Sequence, residues 1–411
     1  MLFLKAIQLD FYTTTNMKSY KMKTASKKII CQLIIVFFIN GLLFAQEAKP
    51  PIMGWSSWNN FRVHIDEKMI REQADAMITS GLYDAGYRYV NIDDGYFGGR
   101  DSIGNLFVDT QKFPSGMKAL VTYIHSKKLK AGIYSDAGRN TCGSIYDNDQ
   151  KGIGVGMYGY LDADCKTFFE DWGCDFLKVD WCGGEKMNLD EKTEYLKILK
   201  AVKAKNEAIV LNVCRWKFPG EWAIDKADSW RISYDIDDKF SSILKIIDLN
   251  VDLYKYSSPG HYNDMDMLQV GRGMTYEEDK SHFSMWCMLN SPLLAGNDLR
   301  SMSKETVGIL TNKDLIALNQ DKGFYQARRI FKEGNIEVWE KLLGEKGKDG
   351  KAIAILNRGD EANQFVLKSD LVNLEKSVKI RDLWSGKKIG AIGKKVNFSI
   401  PKHGIIVLRT E

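Results

Sequence analysis

Histidine is scarce in this 411-residue chain: five residues, at 64, 125, 261, 282 and 403, with no pair at HxxxH spacing. The seven cysteines form no CxxC pair. The local signatures of a zinc site are therefore absent, and no metal is expected. No glycine-rich dinucleotide turn follows the first apolar strand, so no cofactor is expected either. Excess charge is lacking too. Of 58 Lys and Arg and 53 Asp and Glu, six Lys and one Asp lie in residues 1–45, leaving 52 of each sign in the remainder. Such a balance argues against nucleic acid or an anionic membrane as partner.

Residues 1–45 read as a leader. Lys23, Lys27 and Lys28 precede an apolar run from Ile29 to Ala45, which ends in Leu42-Leu43-Phe44-Ala45 before polar Gln46-Glu47. This is the layout of a secretory signal peptide. A retained membrane anchor is the alternative; the run is short for a span, and Asn40 and Gly41 weaken its end. Met22 serves as the start, with residues 1–21 as an upstream extension. The expected destination is secreted or periplasmic, with no membrane contact once the signal is removed. Export would permit disulfides among the six cysteines beyond Cys31.

From residue 52 to about 319, short apolar strands alternate with amphipathic helices for eight rounds. The strands are expected near residues 52–58, 87–94, 129–136, 175–182, 209–216, 229–236, 261–268 and 292–298. The clearest helices are expected over 66–80, 115–128, 190–206, 276–289 and 304–319. Eight βα rounds in this length predict an α/β (β/α)8 TIM barrel over 46–322. An open doubly wound sheet is the alternative. After Gln320-Asp321-Lys322-Gly323 helical periodicity stops, and β-rich runs separated by Gly and charged turns predict an antiparallel β-sandwich over 323–411.

The carboxyl ends of the strands, where barrel chemistry collects, are rich in carboxylates and aromatics. They offer Trp55, then Asp93 and Asp94, Tyr134 and Asp136, Lys178 and Asp180, Arg215 and Trp216, Arg231 and Asp235, and Asp264 and Asp266. Any one could cap a helix or form an ion pair. A ring of them is harder to explain structurally, because burying unpaired carboxylates is costly. Lys178 and Asp180, two apart on a strand, point to one side. The set suits a neutral polyhydroxylated substrate: Asp accepts from hydroxyls, Arg and Lys donate to them, and aromatics stack on the apolar face of a sugar. Asp180 and Asp235 qualify as the carboxylate pair of a glycosidase, although spacing alone leaves retention and inversion both open.

These residues resemble a known family. Met53-Gly54-Trp55, Asn91-Ile92-Asp93-Asp94-Gly95-Tyr96, Gly132-Ile133-Tyr134-Ser135-Asp136, Lys178-Val179-Asp180-Trp181-Cys182, the Trp230–Ile236 run and Asn263-Asp264-Met265-Asp266-Met267-Leu268 are similar to the motifs of glycoside hydrolase family 27, the α-galactosidase and α-N-acetylgalactosaminidase family. Asn297-Asp298-Leu299-Arg300 and Ala317-Leu318-Asn319-Gln320-Asp321 match as well. The resemblance implies a retaining exo-hydrolase that releases terminal α-linked galactose by double displacement. It gives Asp180 the role of nucleophile and Asp235 that of acid/base. Asp93 and Asp94 would hold the 4- and 6-hydroxyls of galactose. Lys178 and Arg231 would make further hydroxyl contacts, with Trp55, Tyr134, Asp266 and Met267 in the pocket. It also pairs Cys142 with Cys182 in a disulfide beside the nucleophile.

One departure bears on specificity. Typical α-galactosidases carry Glu after the strand-five cysteine, and the N-acetyl relatives carry a small polar residue; here Arg215 follows Cys214. Two readings follow for Arg215: a donor to the sugar 2-hydroxyl that points into the mouth, or an ion pair with a wall carboxylate. Ala227 leaves Cys214 without the partner the family has, and Cys165, Cys174, Cys214 and Cys287 are expected to be reduced core residues. The competing functions are the same chemistry on α-N-acetylgalactosaminides or β-L-arabinopyranosides, and a non-catalytic sugar-binding protein. The intact Asp93-Asp94 pair argues against arabinose, and the retained pair Asp180 and Asp235 argues against a lectin.

Overall fold

The computed structural model describes residues 49–411; the leader expected over 1–45 lies outside them. Eight short strands carry the first part of the chain: β1 (Met53–Ser56), β2 (Tyr89–Ile92), β3 (Lys130–Asp136), β4 (Phe176–Asp180), β5 (Val210–Val213), β6 (Ser229–Arg231), β7 (Tyr262–Asp264) and β8 (Leu293–Ala295). Their side chains are almost all buried, as strands covered on both faces require. They pair in parallel in the order β8-β1-β2-β3-β4-β5-β6-β7. The ring closes just beyond β7. There the Leu268 N–H donates to the Leu294 carbonyl at 2.7 Å, and the Gly296 N–H donates to the Leu268 carbonyl at 3.0 Å. Closure leaves no strand edge open and gathers the eight carboxyl ends into one rim.

Register then sets which side chains share a level. Tyr134 pairs with Lys178, and Lys178 with Asn212; one step further, Asp136 pairs with Asp180. Carboxylates from β3 and β4 are thus brought side by side at the rim.

Two of the longer helices begin at an acidic cap. Asp66 accepts from the Met69 N–H and opens Glu67–Thr79, and Asp190 accepts from the Thr193 N–H and opens Glu191–Lys205. The helix expected over 304–319 is two helices, Lys304–Leu310 and Lys313–Asn319. The Asn312 side chain accepts from the Leu315 N–H and starts a new helix in mid-run.

Beyond Ala327 the chain turns antiparallel. Six strands, Arg328–Glu333, Ile336–Leu342, Lys351–Asn357, Ile405–Thr410, Lys379–Asp382 and Lys388–Ala391, form one sheet in that spatial order. Asn363–Lys368 pairs with Lys395–Ile400 to form the second layer. Val338, Ile353, Ile355, Leu367, Ile380, Ile400 and Leu408 fill the space between the layers. The large sheet also contributes Trp339, Leu356 and Val407 to the hydrophobic core that the barrel helices share. The fold is a TIM barrel followed by a β-sandwich.

Candidate active site

Trp55, next to the end of β1, is fully buried, with its indole N–H on the Asn297 carbonyl at 2.7 Å. Asp93 and Asp94 follow β2. Asp93 faces the Lys178 ammonium at 3.0 Å, and the Ser56 hydroxyl donates to it at 3.4 Å. Asp94 accepts from the N–H groups of Gly95 at 2.8 Å and Gly143 at 2.7 Å. Burial pushes its carboxyl up to about 7; those two amides oppose the shift and nearby Asp93 adds to it.

Lys178 and Asp180 project together from β4. The Lys178 Nζ lies 3.7 Å from Asp180 Oδ2, so one cation serves both Asp93 and Asp180. The same Nζ lies 5.3 Å from the centroid of the buried Tyr134 ring. Burial drives the Asp180 carboxyl up to about 6. Lys178 pulls it down, while Asp235 and Asp93 push it up, which puts Asp235 within electrostatic reach.

Arg231, on β6, is the second cation of the site, and it is buried. Its Nη2 lies 2.7 Å from Asp266 Oδ2 and 3.0 Å from Asp235 Oδ1, and it donates to the Ser233 carbonyl at 3.1 Å. Asp235 stands in the open, with 59% of its side chain exposed. Desolvation raises its carboxyl, but Arg231 and Lys178 outweigh that and hold it below the usual carboxylate value. Asp266 adopts a left-handed backbone, φ +76°, unusual for a non-glycine residue. It accepts from the N–H groups of Ile236 at 2.9 Å and Met267 at 2.7 Å as well as from Arg231. Burial moves its carboxyl up to about 6 against the pull of Arg231.

Asp93, Tyr134, Lys178, Arg231, Asp266 and Met267 line one small cavity of about 20 Å³ inside the barrel. Six residues read from five separate motifs therefore meet around one space. Ser56 and Asn212 line it too and were not expected. The Asn212 amide donates to Asp264 at 2.7 Å and to the Ser229 hydroxyl at 2.8 Å. Its signal was positional: it is level with Lys178 in the β4–β5 register.

Arg215 takes the other of its two expected positions. Its Nε lies 2.7 Å from Glu191 Oε2 and its Nη2 lies 3.8 Å from Glu185, both beyond the end of β4. The guanidinium is engaged by wall carboxylates rather than by the cavity that Lys178 and Arg231 line.

Cys142 and Cys182 are joined, with Cα atoms 5.2 Å apart. The bridge ties the starts of two short helices, Cys142–Tyr146 and Cys182–Lys186, whose amides hold buried carboxylates. Gly143, next to Cys142, caps Asp94, while Gly183 and Gly184, next to Cys182, donate to Asp136 at 3.0 and 3.3 Å. Cys165, Cys174, Cys214 and Cys287 are buried free thiols. Asp136, Cys142 and Cys182 cluster closely, but the disulfide takes both sulfurs out of the thiolate form that metals bind.

Chemically, the rim offers a buried carboxylate and an exposed one, each beside a cation, over a pocket of hydroxyl-binding groups. Residues 50–321 match the family profile described as "Alpha galactosidase A", and residues 333–410 match "Alpha galactosidase C-terminal beta sandwich domain". Alpha-galactosidase A of Cellvibrio japonicus is 41% identical over 406 residues, 93% of this chain and 96% of that protein. Alpha-galactosidase 2 of Arabidopsis thaliana is 41% identical over 362 residues, 87% of this chain and 88% of its own. Among solved structures, alpha-galactosidase I from Mortierella vinacea superposes with a TM-score of 0.81 at 33% identity, covering 89% of this chain and 98% of that one.

Proposed function

This chain belongs to the alpha-galactosidase A family, glycoside hydrolase family 27, and from that premise we propose that it releases terminal α-linked galactose with Asp180 as nucleophile and Asp235 as acid/base. One observation supports the assignment: Asp180, buried beside Lys178, and Asp235, exposed beside Arg231, lie within electrostatic reach of each other. Asp180 attacks the anomeric carbon as the bond to the leaving oxygen breaks, and Asp235 gives that oxygen its proton. A β-galactosyl ester on Asp180 results. Asp235, now a base, takes a proton from water, which attacks the same carbon and releases galactose with its α configuration retained.

In the free site burial raises the Asp180 carboxyl to about 6, and Arg231 and Lys178 hold the Asp235 carboxyl below its usual value. A saccharide laid over the mouth dries the exposed Asp235 and so raises its affinity for a proton, while Lys178 keeps Asp180 ionised. Asp93 and Asp94 receive hydroxyls at the closed end of the pocket, and Trp55 and Tyr134 wall it. Because Arg215 is paired with Glu191, we assign it no contact with the sugar.

We also propose that the leader directs export. The lysines and apolar run before Ala45 support this, and a disulfide beside the site suits an oxidising compartment. Among the described residues no helix is long and apolar enough to cross a membrane.

The test is turnover of matched α-galactoside, α-N-acetylgalactosaminide and β-L-arabinopyranoside substrates, with the first-formed anomer read by NMR. Galactoside should be preferred, and α-galactose should appear first. Preference for another sugar, or β-galactose as first product, would overturn the reading.

A further inference from the structure

Two aromatic rings near Asp235 have no role in the chemistry above: exposed Tyr234, and Trp216, which is partly buried and packs one side against the barrel core. Trp216 lies three residues past the end of β5, and Tyr234 directly precedes Asp235. Their rings are nearly parallel, 15° between planes, with centroids 6.4 Å apart. Tyr234 is 78% exposed. Lone exposed aromatics are common on protein surfaces and need no explanation. This pair differs because Trp216 is held in place and the backbone leading into Tyr234 is anchored. Trp216 adopts a left-handed backbone, φ +60°, which a bulky side chain avoids unless its setting imposes it. Arg215, anchored on Glu191, places its guanidinium 5.6 Å from the Trp216 ring centroid. The backbone before Tyr234 is pinned where Arg231 donates to the Ser233 carbonyl.

We propose that Trp216 and Tyr234 form an aromatic platform for the sugar that leaves, making this hydrolase select a saccharide aglycone over a small one. The proposal rests on Asp235 being the acid/base, since the group that protonates the leaving oxygen marks the side on which the aglycone must lie. A pyranose ring presents axial C–H groups on its face, and these pack against aromatic surface. Arg215 becomes a positioning residue for Trp216, a use of the Cys214-Arg215-Trp216 segment that the motif itself did not suggest.

The test compares kcat/KM for raffinose, whose leaving group is a saccharide, with methyl α-galactoside, whose leaving group is methanol. Both need the acid, so damage to Asp235 lowers both alike. Tyr234→Ala should lower the raffinose value about five- to tenfold, the weight of one lost aromatic contact, and leave methyl galactoside within about twofold. Tyr234→Phe should keep the wild-type ratio, because the ring and not the hydroxyl carries the contact. A ratio unmoved in Tyr234→Ala, or moved equally by Tyr234→Phe, overturns the platform. Tyr234 is a surface residue, so loss of the fold does not cloud the comparison. A wild type that cleaves neither galactoside would instead sink the hydrolase reading on which the platform rests.

Discussion

Lys178 and Asp180 form an ion pair of 3.7 Å on adjacent inward positions of β4, and the same ammonium lies 3.0 Å from Asp93. One partly buried cation thus joins the proposed nucleophile to Asp93 at the closed end of the proposed sugar pocket. In the proposed mechanism, sugar placement and nucleophile ionisation both depend on this single side chain.

Removal of the nucleophile is the first consequence to measure. Asp180→Asn should lower turnover roughly 10³-fold or more with an unchanged circular dichroism spectrum. In Asp180→Gly, azide can enter from the face the carboxylate vacates, so the expected product is β-galactosyl azide. An α-azide, or near-wild-type turnover in Asp180→Asn, would show that another group attacks.

Asp235→Ala should separate substrates by leaving group. With α-galactosyl fluoride no proton is needed for departure, so the rate of forming the galactosyl enzyme should stay close to that of the wild type. With methyl α-galactoside it should fall on the order of 10²–10⁴-fold. Equal losses on both substrates in single-turnover kinetics would remove Asp235 from the acid role.

The pH profile follows from the burial of Asp180. Its carboxyl is pushed up to about 6, and only the ionised form attacks, so kcat/KM should fall as pH drops below about 6. Lys178 opposes that shift, so Lys178→Met should move the acid limb to higher pH. Lys178 is also proposed to touch the sugar, and KM will rise as well. The position of the limb, not its height, is therefore the readout, and a limb that stays in place would detach Lys178 from the ionisation of Asp180.

Much of this was legible in the sequence because strands buried on both faces must be apolar, and those of the barrel end in carboxylates that stand out against them. Side-chain alternation placed Lys178 and Asp180 together correctly. It says nothing past the end of a strand: β5 stops at Val213, and the left-handed turn at Trp216 belongs to a loop, so the direction of Arg215 was open. The helix Phe240–Asn250 carries its buried stripe at Phe240, Ile243, Ile246 and Ile247, but Lys239 supplies no side-chain cap to announce it. Strands Arg328–Glu333 and Lys388–Ala391 edge their sheet, and their charged, partly exposed residues do not read as strand.

The last expectation concerns stability. Asp136 is buried, with one oxygen accepting from the N–H groups of Gly138, Gly183 and Gly184 and the other without a partner. Burial first, and Asp180 second, push its carboxyl up to about 8 despite those amides. An unfolded Asp titrates near ~4. Between those values the folded protein holds a proton that the unfolded chain has lost, so stability falls as pH rises. The contribution is complete below about pH 4 and gone above the folded value. Asp94, Asp180 and Asp266 act in the same direction at about 7, 6 and 6. Glu67 and Asp75, held below their usual values, act in the opposite direction and limit stability at the acid end. The melting temperature should therefore be higher near pH 5 than at pH 8. Asp136→Asn mimics the protonated acid and keeps the acceptor for the three amides, so it should flatten the decline between pH 6 and 8 while leaving the value at pH 5 nearly unchanged. A decline of the same slope in Asp136→Asn, measured by calorimetry across that range, would mean that Asp136 does not hold the proton.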